Sequence, residues 1–358
     1  MKVFKVVGLM SGTSLDGLDL AYCHIWKKDD NWSFKLKETK SIFYDTKMKA
    51  QLKDAIHLPT DQLLILNNEY GKWLGQKVKE FINEYDLEVD FISSHGHTTH
   101  HQPDKGLTFQ IGSGQHIANA SARKVICDFR TNDVALGGQG APLVPIGDQL
   151  FFIEYDFCLN LGGISNISFE SKGKRIAYDI GLANMILNYI TGKIKLSFDD
   201  KGQLARKGTI NRQMYDELNA LEYYKLPFPK STGYEWFLEK VVPIVEITKD
   251  SIENLLHTSV HHLCEQISIQ VEEHVHKEEN IIFVSGGGAL NDFLMETLQN
   301  KLGGRTNIVK SNKKVIEYKE ALVFGLMGVL RIENKTNVLS SVTGAKNDSS
   351  SGIIFLPS

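Results

Sequence analysis

Residues 6–23 read VVGLMSGTSLDGLDLAYC, and this stretch decides the fold that we predict. An apolar run over residues 3–7 gives way to Gly, Ser and Thr, after which Leu18 and Leu20 alternate with Asp19. A hydrophobic period of about two is typical of a strand, whereas a helix repeats at about 3.6. The stretch therefore predicts a strand, a polar turn and a second strand.

The polar turn has the chemistry of an anion site. Backbone N–H groups and hydroxyls of Gly12, Thr13 and Ser14 can point at a phosphate. Asp16 could hold Mg²⁺ beside that phosphate, directly or through water. A P-loop would instead carry Gly-Lys-Ser/Thr and open into a helix, and this turn does neither. A plain hairpin with a turn of small residues is the alternative.

Composition limits the class of protein. The chain has 358 residues, 40 basic against 43 acidic side chains and 42% hydrophobic residues, which suggests roughly two domains. Balanced charge argues against a nucleic-acid partner, and no apolar run approaches the ~20 residues that span a bilayer. The start lacks a signal-peptide pattern, and unpaired cysteine spacing indicates reduced thiols. We expect a cytoplasmic protein without a membrane or nucleic-acid partner.

A second stretch repeats the opening pattern. Residues 157–168 read FCLNLGGISNIS, which again predicts a strand, a turn of small residues and a strand. Aligning Gly12 with Gly163 gives a shift of 163 − 12 = 151 residues. Two similar hairpins so far apart predict two related lobes, each offering one turn to a shared ligand. The glycine-rich stretch at residues 137–145 suggests that the lobe boundary lies near it.

Two charged residues stand where strands are expected to end. Arg130 ends the predicted strand 125–130 and could clamp a carboxylate or phosphate, although a surface salt bridge is the alternative. Asp179 lies between a predicted strand and a predicted helix, where catalytic carboxylates are often displayed. Its alternative role is to cap the helix.

Histidine and glycine clusters add two further candidates. Four histidines fall within residues 95–101, in a spacing that matches no zinc pattern. A loop of neutral donors facing a polar ligand, or a solvated loop, explains them better than a metal site. Gly286, Gly287 and Gly288 follow a short buried strand and would let a flat group such as adenosine approach the backbone.

Taken together, these pieces resemble the anhydro-N-acetylmuramic acid kinases, a branch of the sugar kinase, Hsp70 and actin superfamily. The matching stretches appear in family order and cover nearly the full length. They are residues 8–19, His95-Gly96 with Thr98, residues 128–130, 137–145 and 159–166, Tyr178-Asp179, residues 286–288, Glu320-Ala321 and residues 343–345.

The resemblance implies an α/β protein with two ribonuclease-H-like lobes of the actin and hexokinase type, mixed sheets and a central nucleotide cleft. Residues 1–132 with 335–358 would form the N-terminal lobe, with the sugar side and the first phosphate loop. Residues 133–334 would form the C-terminal lobe, with the second phosphate loop and the adenosine site. The enzyme would use ATP and Mg²⁺ to open a 1,6-anhydro sugar and phosphorylate O6 in peptidoglycan recycling. A homodimer is also implied.

The same resemblance assigns roles to individual residues. The first phosphate loop would comprise Gly12, Thr13, Ser14, Leu15, Asp16, Gly17, Leu18 and Asp19, with Asp16 near Mg²⁺. The second would comprise Asn160, Gly162, Gly163 and Asn166, and the adenosine would face Gly286, Gly287 and Gly288. Asp179 would be the catalytic base. The sugar would contact His95, His97, Arg130 and Glu320.

Three departures from the family pattern lie on the sugar side. The family usually shows Asp-Thr-Gly-Pro where this chain has Asp-Ile-Gly-Leu at residues 179–182, and Gln at the position of His97. Further basic residues usually follow the position of Arg130, where this chain has Thr131 and Asn132. These changes bear on sugar specificity more than on reaction type. An ATP-driven binding protein of the Hsp70 or actin kind, and a kinase for an open amino sugar or hexose, are the alternatives.

Overall fold

The structure, a computed structural model, describes residues 1–12, 15–275 and 277–358. The strands are β1 Val3–Ser11, β2 Gly17–Lys28, β3 Asn31–Phe43, β4 Phe91–Ser94, β5 His97–Gln102, β6 Leu107–Ile111, β7 Val125–Cys127, β8 Phe157–Leu161, β9 Ile164–Ser171, β10 Lys174–Leu182, β11 Asn280–Ser285, β12 Thr306–Lys310 and β13 Ile353–Phe355.

The α-helices are α1 Thr46–Asp54, α2 Thr60–Glu84, α3 Gly114–Ser121, α4 Thr131–Ala135, α5 Pro145–Phe151, α6 Asn184–Gly192, α7 Arg212–Asn219, α8 Tyr234–Trp236, α9 Val242–Ile247, α10 Ile252–Glu272, α11 Asp292–Leu302, α12 Lys313–Ile332 and α13 Ser340–Thr343. A π-helical segment, Phe237–Val241, continues α8, and a 3₁₀ helix, Gly287–Leu290, follows β11.

The chain folds into two compact units, Met1–Phe151 with Tyr318–Ser358, and Phe152–Glu317. The sheet of the first unit has the order β13-β7-β4-β1-β2-β3. Strands β1, β2 and β3 form an antiparallel meander, β4 runs parallel to β1, and β7 runs parallel to β4. The sheet of the second unit has the order β10-β9-β8-β11-β12, with the same meander followed by two parallel strands.

This shared strand order is the ribonuclease-H-like topology, so the predicted fold class is confirmed. Both predicted hairpins are present as β1–β2 and β8–β9. In α2 and α10 apolar residues recur every three or four positions, and the apolar face that they form is buried in the core of the unit to which the helix belongs. Burial of these faces supplies most of the stability of such helices.

The first unit extends further along the chain than the lobe predicted from the sequence, whose limits, 132/133 and 334/335, stay a prediction. Phe151 at the end of α5 packs on Phe34 of β3, with ring centroids 4.7 Å apart. Helix α12 has a kink at Tyr318 (φ −117°, ψ 15°), beyond which it lies on β1. A Cβ at Gly8 would lie 1.9 Å from the carbonyl oxygen of Ala321, so only glycine permits this approach.

The described residues include no helix that is long and apolar enough to cross a membrane. The cysteines, which we expected to be reduced core residues, are all buried.

Candidate active site

The first glycine turn joins β1 to β2 in the first unit. Thr13 and Ser14, predicted to bind phosphate, lie outside the described residues. The backbone N–H of Leu15 donates to the carbonyl of Gly12 at 3.3 Å, and Leu15 has a left-handed φ of 59°. A Cβ at Gly17 would lie 2.5 Å from the carbonyl oxygen of Ile42, so the turn re-enters the sheet at a position that requires glycine.

The acidic side chains of this turn and of the start of β2 differ in exposure. Asp16 is exposed, as a carboxylate that holds Mg²⁺ through water would be. Asp19 is half-buried and accepts a 2.5 Å hydrogen bond from the hydroxyl of Ser41. Leu18 is 1% exposed and belongs to the core, so only its backbone is available to a ligand. The described residues contain no group of three or more His, Cys, Asp or Glu side chains that could hold a metal.

The second glycine turn joins β8 to β9 in the second unit. The carbonyl of Gly162 accepts from the N–H of Asn184 at 3.0 Å, and that of Gly163 accepts from Ala183 at 2.9 Å and Met185 at 3.0 Å. These bonds fix the turn on the N-terminus of α6. A Cβ at either glycine would meet nothing closer than 3.5 Å, so the turn keeps an open surface.

Three polar residues form a row across the sheet beside the second turn. Asn166 on β9 pairs with Asn160 on β8 and with Asp179 on β10. Residues directly opposite in a sheet point to the same face, so the three side chains share one face. All three are half-buried. The structure therefore brings together the predicted base and two predicted phosphate-loop residues.

Asp179 differs from the prediction in its local structure. It lies within β10, at a bulge before Gly181, instead of at a strand-to-helix junction, and the residue that caps α6 is Ala183. Its Oδ2 accepts the N–H of Thr232 at 3.1 Å, and its N–H donates to the carbonyl of Lys230 at 3.1 Å. Burial raises the pKa of Asp179, although the hydrogen bond from Thr232 lowers it.

The three glycines after β11 differ in their surroundings: two pack closely against other residues and one has open space beside it. Gly286 has a φ of 81°, and a Cβ there would lie 2.6 Å from Oδ1 of Asn160. A Cβ at Gly288 would lie 2.7 Å from that of Leu161. Gly287 has no neighbour closer than 3.7 Å. Two of the glycines thus allow the close approach of β8, whereas Gly287 is free to face a ligand.

A cavity of about 400 Å³ opens beside Gly287 within the second unit. Its lining combines the exposed apolar side chains of Phe198 and Leu290 with polar residues. The polar residues are Asn184, Asn188, Asp199, Asp200, Lys201 and Asn291. Apolar surface with a few polar groups is typical of a small-ligand site. The sequence analysis did not single out these polar residues.

His95 and Arg130 form the centre of the predicted sugar side in the first unit. The Arg130 guanidinium donates to Nε2 of His95 and to the carbonyl of Gly140, the latter at 2.5 Å. Burial, with the Arg130 charge adding to it, holds the pKa of His95 well below its usual range. Burial lowers the pKa of Arg130 to about 10, while Glu320 and Asp133 raise it. Arg130 is half-buried, and its hydrogen bonds run to a histidine ring and a backbone carbonyl, which is not the arrangement of an exposed salt bridge.

Glu320 on α12 belongs to the same charge cluster. Its side chain reaches solvent, but loss of hydration in its crowded surroundings raises its pKa, and the charges of Arg130 and Lys319 lower it. Lys319 is itself buried and pairs with the buried Asp148, Nζ to Oδ1 at 2.7 Å. The structure thus brings His95, Arg130 and Glu320 together in one unit.

The glycine-rich stretch 137–145 is anchored by one buried carboxylate. Asp133 is fully buried; its Oδ2 accepts the N–H of Gly140 at 2.7 Å and its Oδ1 accepts the hydroxyl of Thr343 at 2.7 Å. A Cβ at Gly138 would lie 2.3 Å from the same carboxylate. This anchor presents the Gly140 carbonyl to Arg130, so the stretch supports the site.

Two units of ribonuclease-H-like topology, each with a glycine turn between its first two strands, define a class of protein that includes sugar kinases, Hsp70 and actin. Within that class, residues 4–357 match the family model of anhydro-N-acetylmuramic acid kinase. The chain belongs to this family of kinases, and the resemblance that the motifs indicated is confirmed.

Curated relatives agree along the whole chain. The anhydro-N-acetylmuramic acid kinase of Sulfurimonas denitrificans is 33% identical over 368 residues, which cover 98% of each chain. The protein of the same name from Bacillus thuringiensis is 30% identical over 383 residues, which cover each chain completely.

Proposed function

We propose that the protein uses ATP to open 1,6-anhydro-N-acetylmuramic acid with water and to phosphorylate the freed O6, giving N-acetylmuramic acid 6-phosphate and ADP. The observation that carries this proposal is the position of Asp179 directly across from Asn166, on the same sheet face as the second phosphate turn. A carboxylate with a raised pKa beside a phosphate loop is suited to act as a general base.

The proposed reaction needs a base for water, because O6 is tied in an acetal. Asp179 would accept a proton from water as the water oxygen bonds to C1 and the C1–O6 bond breaks. The freed O6 would then attack the γ-phosphorus, and ADP would leave. Positioning and electrostatic stabilisation provide most of the rate in phosphoryl transfer.

We propose that His95, His97, Arg130 and Glu320 hold the sugar. Arg130 is the group best suited to the lactyl carboxylate of a muramic acid, because a guanidinium binds a carboxylate through two parallel hydrogen bonds. The support for this role is its fixed orientation between His95 and Gly140.

We assign the nucleotide phosphates to the two glycine turns and the adenosine to the cavity beside Gly287. Its volume of about 400 Å³ and its mixed apolar and polar lining fit a nucleoside. Mg²⁺ would be held through water by Asp16, whose exposure fits an ion that keeps most of its hydration. When bound, Mg²⁺ supplies charge neutralisation to the phosphates. We also propose that the protein is cytoplasmic and forms a homodimer. Sedimentation would test the homodimer.

A coupled ADP-release assay over several sugars tests the proposal. We expect ADP release with anhydro-N-acetylmuramic acid and little with N-acetylmuramic acid, glucosamine derivatives or hexoses. ATP turnover that is independent of sugar would favour an ATP-driven binding protein. In ¹⁸O-water one label per turnover should appear at C1 of the product as it forms. A kinase for an open sugar would show label at C1 only at the slow rate at which a reducing sugar exchanges its anomeric oxygen with water.

A further inference from the structure

A chain of buried hydroxyl groups underlies the first glycine turn. The hydroxyl of Tyr44 donates to Oγ of Ser11 at 2.8 Å and lies 2.7 Å from the hydroxyl of Tyr70. Ser11 Oγ lies 3.1 Å from Nδ1 of His97. The four residues are between 1% and 5% exposed, so the three hydroxyl groups must find hydrogen-bond partners among their neighbours.

Counting protons along this chain assigns the tautomer of His97. Burial raises the pKa values of both tyrosines, so each keeps its proton. Because Tyr44 donates to Ser11, Tyr70 must donate to Tyr44. The Ser11 hydroxyl also contacts that of Tyr70, but an imidazole nitrogen is a stronger acceptor than a phenol oxygen. We therefore assign the Ser11 proton to Nδ1 of His97. Burial lowers the pKa of His97 to about 4, so the ring is neutral and its single proton lies on Nε2.

Tyr44 also bonds the other end of the turn. Its backbone N–H donates to the carbonyl of Asp16 at 3.4 Å. Ser11 is the last residue of β1, and Asp16 directly precedes β2. One residue therefore contacts both ends of the loop 12–16, through its side chain at one end and its backbone at the other.

Aromatic packing makes this support rigid. The ring of Tyr44 lies 5.6 Å from that of Trp73, and Trp73 stacks on Tyr70 at 5.8 Å and 12°. Both Tyr70 and Trp73 belong to α2, a helix of 25 residues. Tyr44 is thus fixed against a long helix and has little freedom to follow a displaced loop.

We propose that Tyr44 is a positioning residue of the reaction. It fixes both ends of the first phosphate loop and, through Ser11, holds His97 as a neutral Nε2–H donor for an acceptor oxygen of the sugar. This inference rests on the proposed function for the identity of the ligands. It adds a residue that none of the sequence motifs contains, and it links the phosphate loop to a sugar contact through one hydroxyl.

The test compares Tyr44→Phe with Tyr22→Phe. Tyr22 is a matched control, because it is 5% exposed in the same unit and its hydroxyl donates to the carbonyl of Glu88 at 2.8 Å. Each variant loses the two hydrogen bonds of its tyrosine hydroxyl, to Ser11 and Tyr70 for Tyr44 and to Glu88 and His24 for Tyr22. The two variants should therefore lose similar thermal stability. Only Tyr44→Phe should raise the sugar KM, by about tenfold, as expected for one lost ligand contact.

Nitrogen NMR of protein labelled at histidine provides the readout that a purely structural role would not change. The His97 signals are assigned by their absence from His97→Gln. In the wild type, Nε2 should carry the proton and Nδ1 should be bare. Tyr44→Phe releases the Ser11 hydroxyl, so a mixture of tautomers should appear, and Ser11→Ala should reproduce it.

A wild-type proton on Nδ1 would overturn the inference, as would a Tyr44→Phe protein with unchanged tautomer and sugar KM. If Tyr44→Phe does not fold, Ser11→Ala decides by the same two measurements. If the wild type turns over no sugar, the proposed function fails, while the NMR comparison still decides whether Tyr44 sets the state of His97.

Discussion

The guanidinium of Arg130 donates twice to one acceptor, Nε2 of His95, with Nε at 3.1 Å and Nη2 at 2.8 Å. The other ring nitrogen, Nδ1, lies 2.9 Å from the carbonyl of Gly96 and donates to it. His95 is therefore neutral with its proton on Nδ1, in agreement with a pKa held well below its usual range by burial and by the Arg130 charge. Both ring nitrogens of His95 are engaged in these contacts, so we expect His95 to help hold the sugar by orienting Arg130.

Replacing Arg130 by Lys tests this orientation. A lysine ammonium cannot bond His95 and Gly140 at once in the planar geometry of a guanidinium, and it binds a carboxylate as a point charge. We expect the sugar KM to rise by about tenfold or more and the ATP KM to change by less than about twofold. Steady-state kinetics with each substrate varied in turn measures both constants.

Arg123→Lys is the control for Arg130→Lys. Arg123 is in the same unit, and its Nη1 donates to the carbonyl of Ala122 at 3.0 Å near the surface. This control should leave both KM values unchanged. A rise in the ATP KM alone for Arg130→Lys would indicate that Arg130 contacts the nucleotide instead of the sugar.

Asp179→Asn should fold, bind ATP and lose activity by several orders of magnitude. The amide oxygen can still accept the N–H of Thr232, so the local structure of β10 should persist. It cannot take a proton from water, and loss of general-base catalysis costs about 10²–10⁴-fold in typical enzymes. Turnover and calorimetric ATP binding are the measurements. Near-normal turnover would remove Asp179 from the mechanism.

The same substitution should stabilise the protein at neutral pH. The raised pKa of Asp179 means that the folded state binds its proton more tightly than the ordinary value of 3.8 allows. The stabilisation from this proton is fully present below the ordinary pKa and is lost as pH rises through the raised value. Asp179→Asn should therefore raise the thermal midpoint at pH 7 by about 1–3 °C. The gain should vanish in acid, below the ordinary pKa of Asp179.

Asp156→Asn, in the same unit, serves as a control because its effect on the thermal midpoint at pH 7 should have the opposite sign. Asp156 pairs with Lys277 at 2.5 Å and accepts the N–H of Ile281 at 2.8 Å. Neutralising it at pH 7 removes a favourable contact, so its midpoint should not rise. A lower midpoint for Asp179→Asn at pH 7 would contradict the burial of an ionised carboxylate at that position.

The sequence was sufficient to predict features that depend on neighbouring residues. The two hairpins follow from alternation within short stretches, and α2 and α10 follow from hydrophobic stripes. The strand position of Asp179 did not follow, because a bulge between Asp179 and Gly181 interrupts the alternation that marks a strand.

Contacts between distant residues could not be predicted in the same way. Tyr44 reaches Ser11 across 33 residues, and Thr232 reaches Asp179 across 53. The hydrogen-bond partners of buried polar groups are set by proximity in the folded structure, and the hydrophobic period of the sequence does not indicate them. The family resemblance singled out the stretches that carry the predicted site residues, whose roles stay predictions, and the side chains that support them became visible only in the structure.

Gly286 and Gly287 should respond differently to alanine, although they are adjacent. At Gly287 a Cβ meets nothing closer than 3.7 Å, so Gly287→Ala should keep wild-type stability. Its methyl group would project into the cavity that we assign to the nucleotide and should raise the ATP KM several-fold. At Gly286 a φ of 81° and a Cβ 2.6 Å from Asn160 Oδ1 make alanine strained, at a cost of about 1–3 kcal/mol.

Thermal unfolding and ATP titration of both variants measure the difference. Gly303→Ala, at a φ of 66° with no neighbour within 4 Å, is the control for backbone strain alone. An unchanged ATP KM in Gly287→Ala would separate this cavity from the nucleotide.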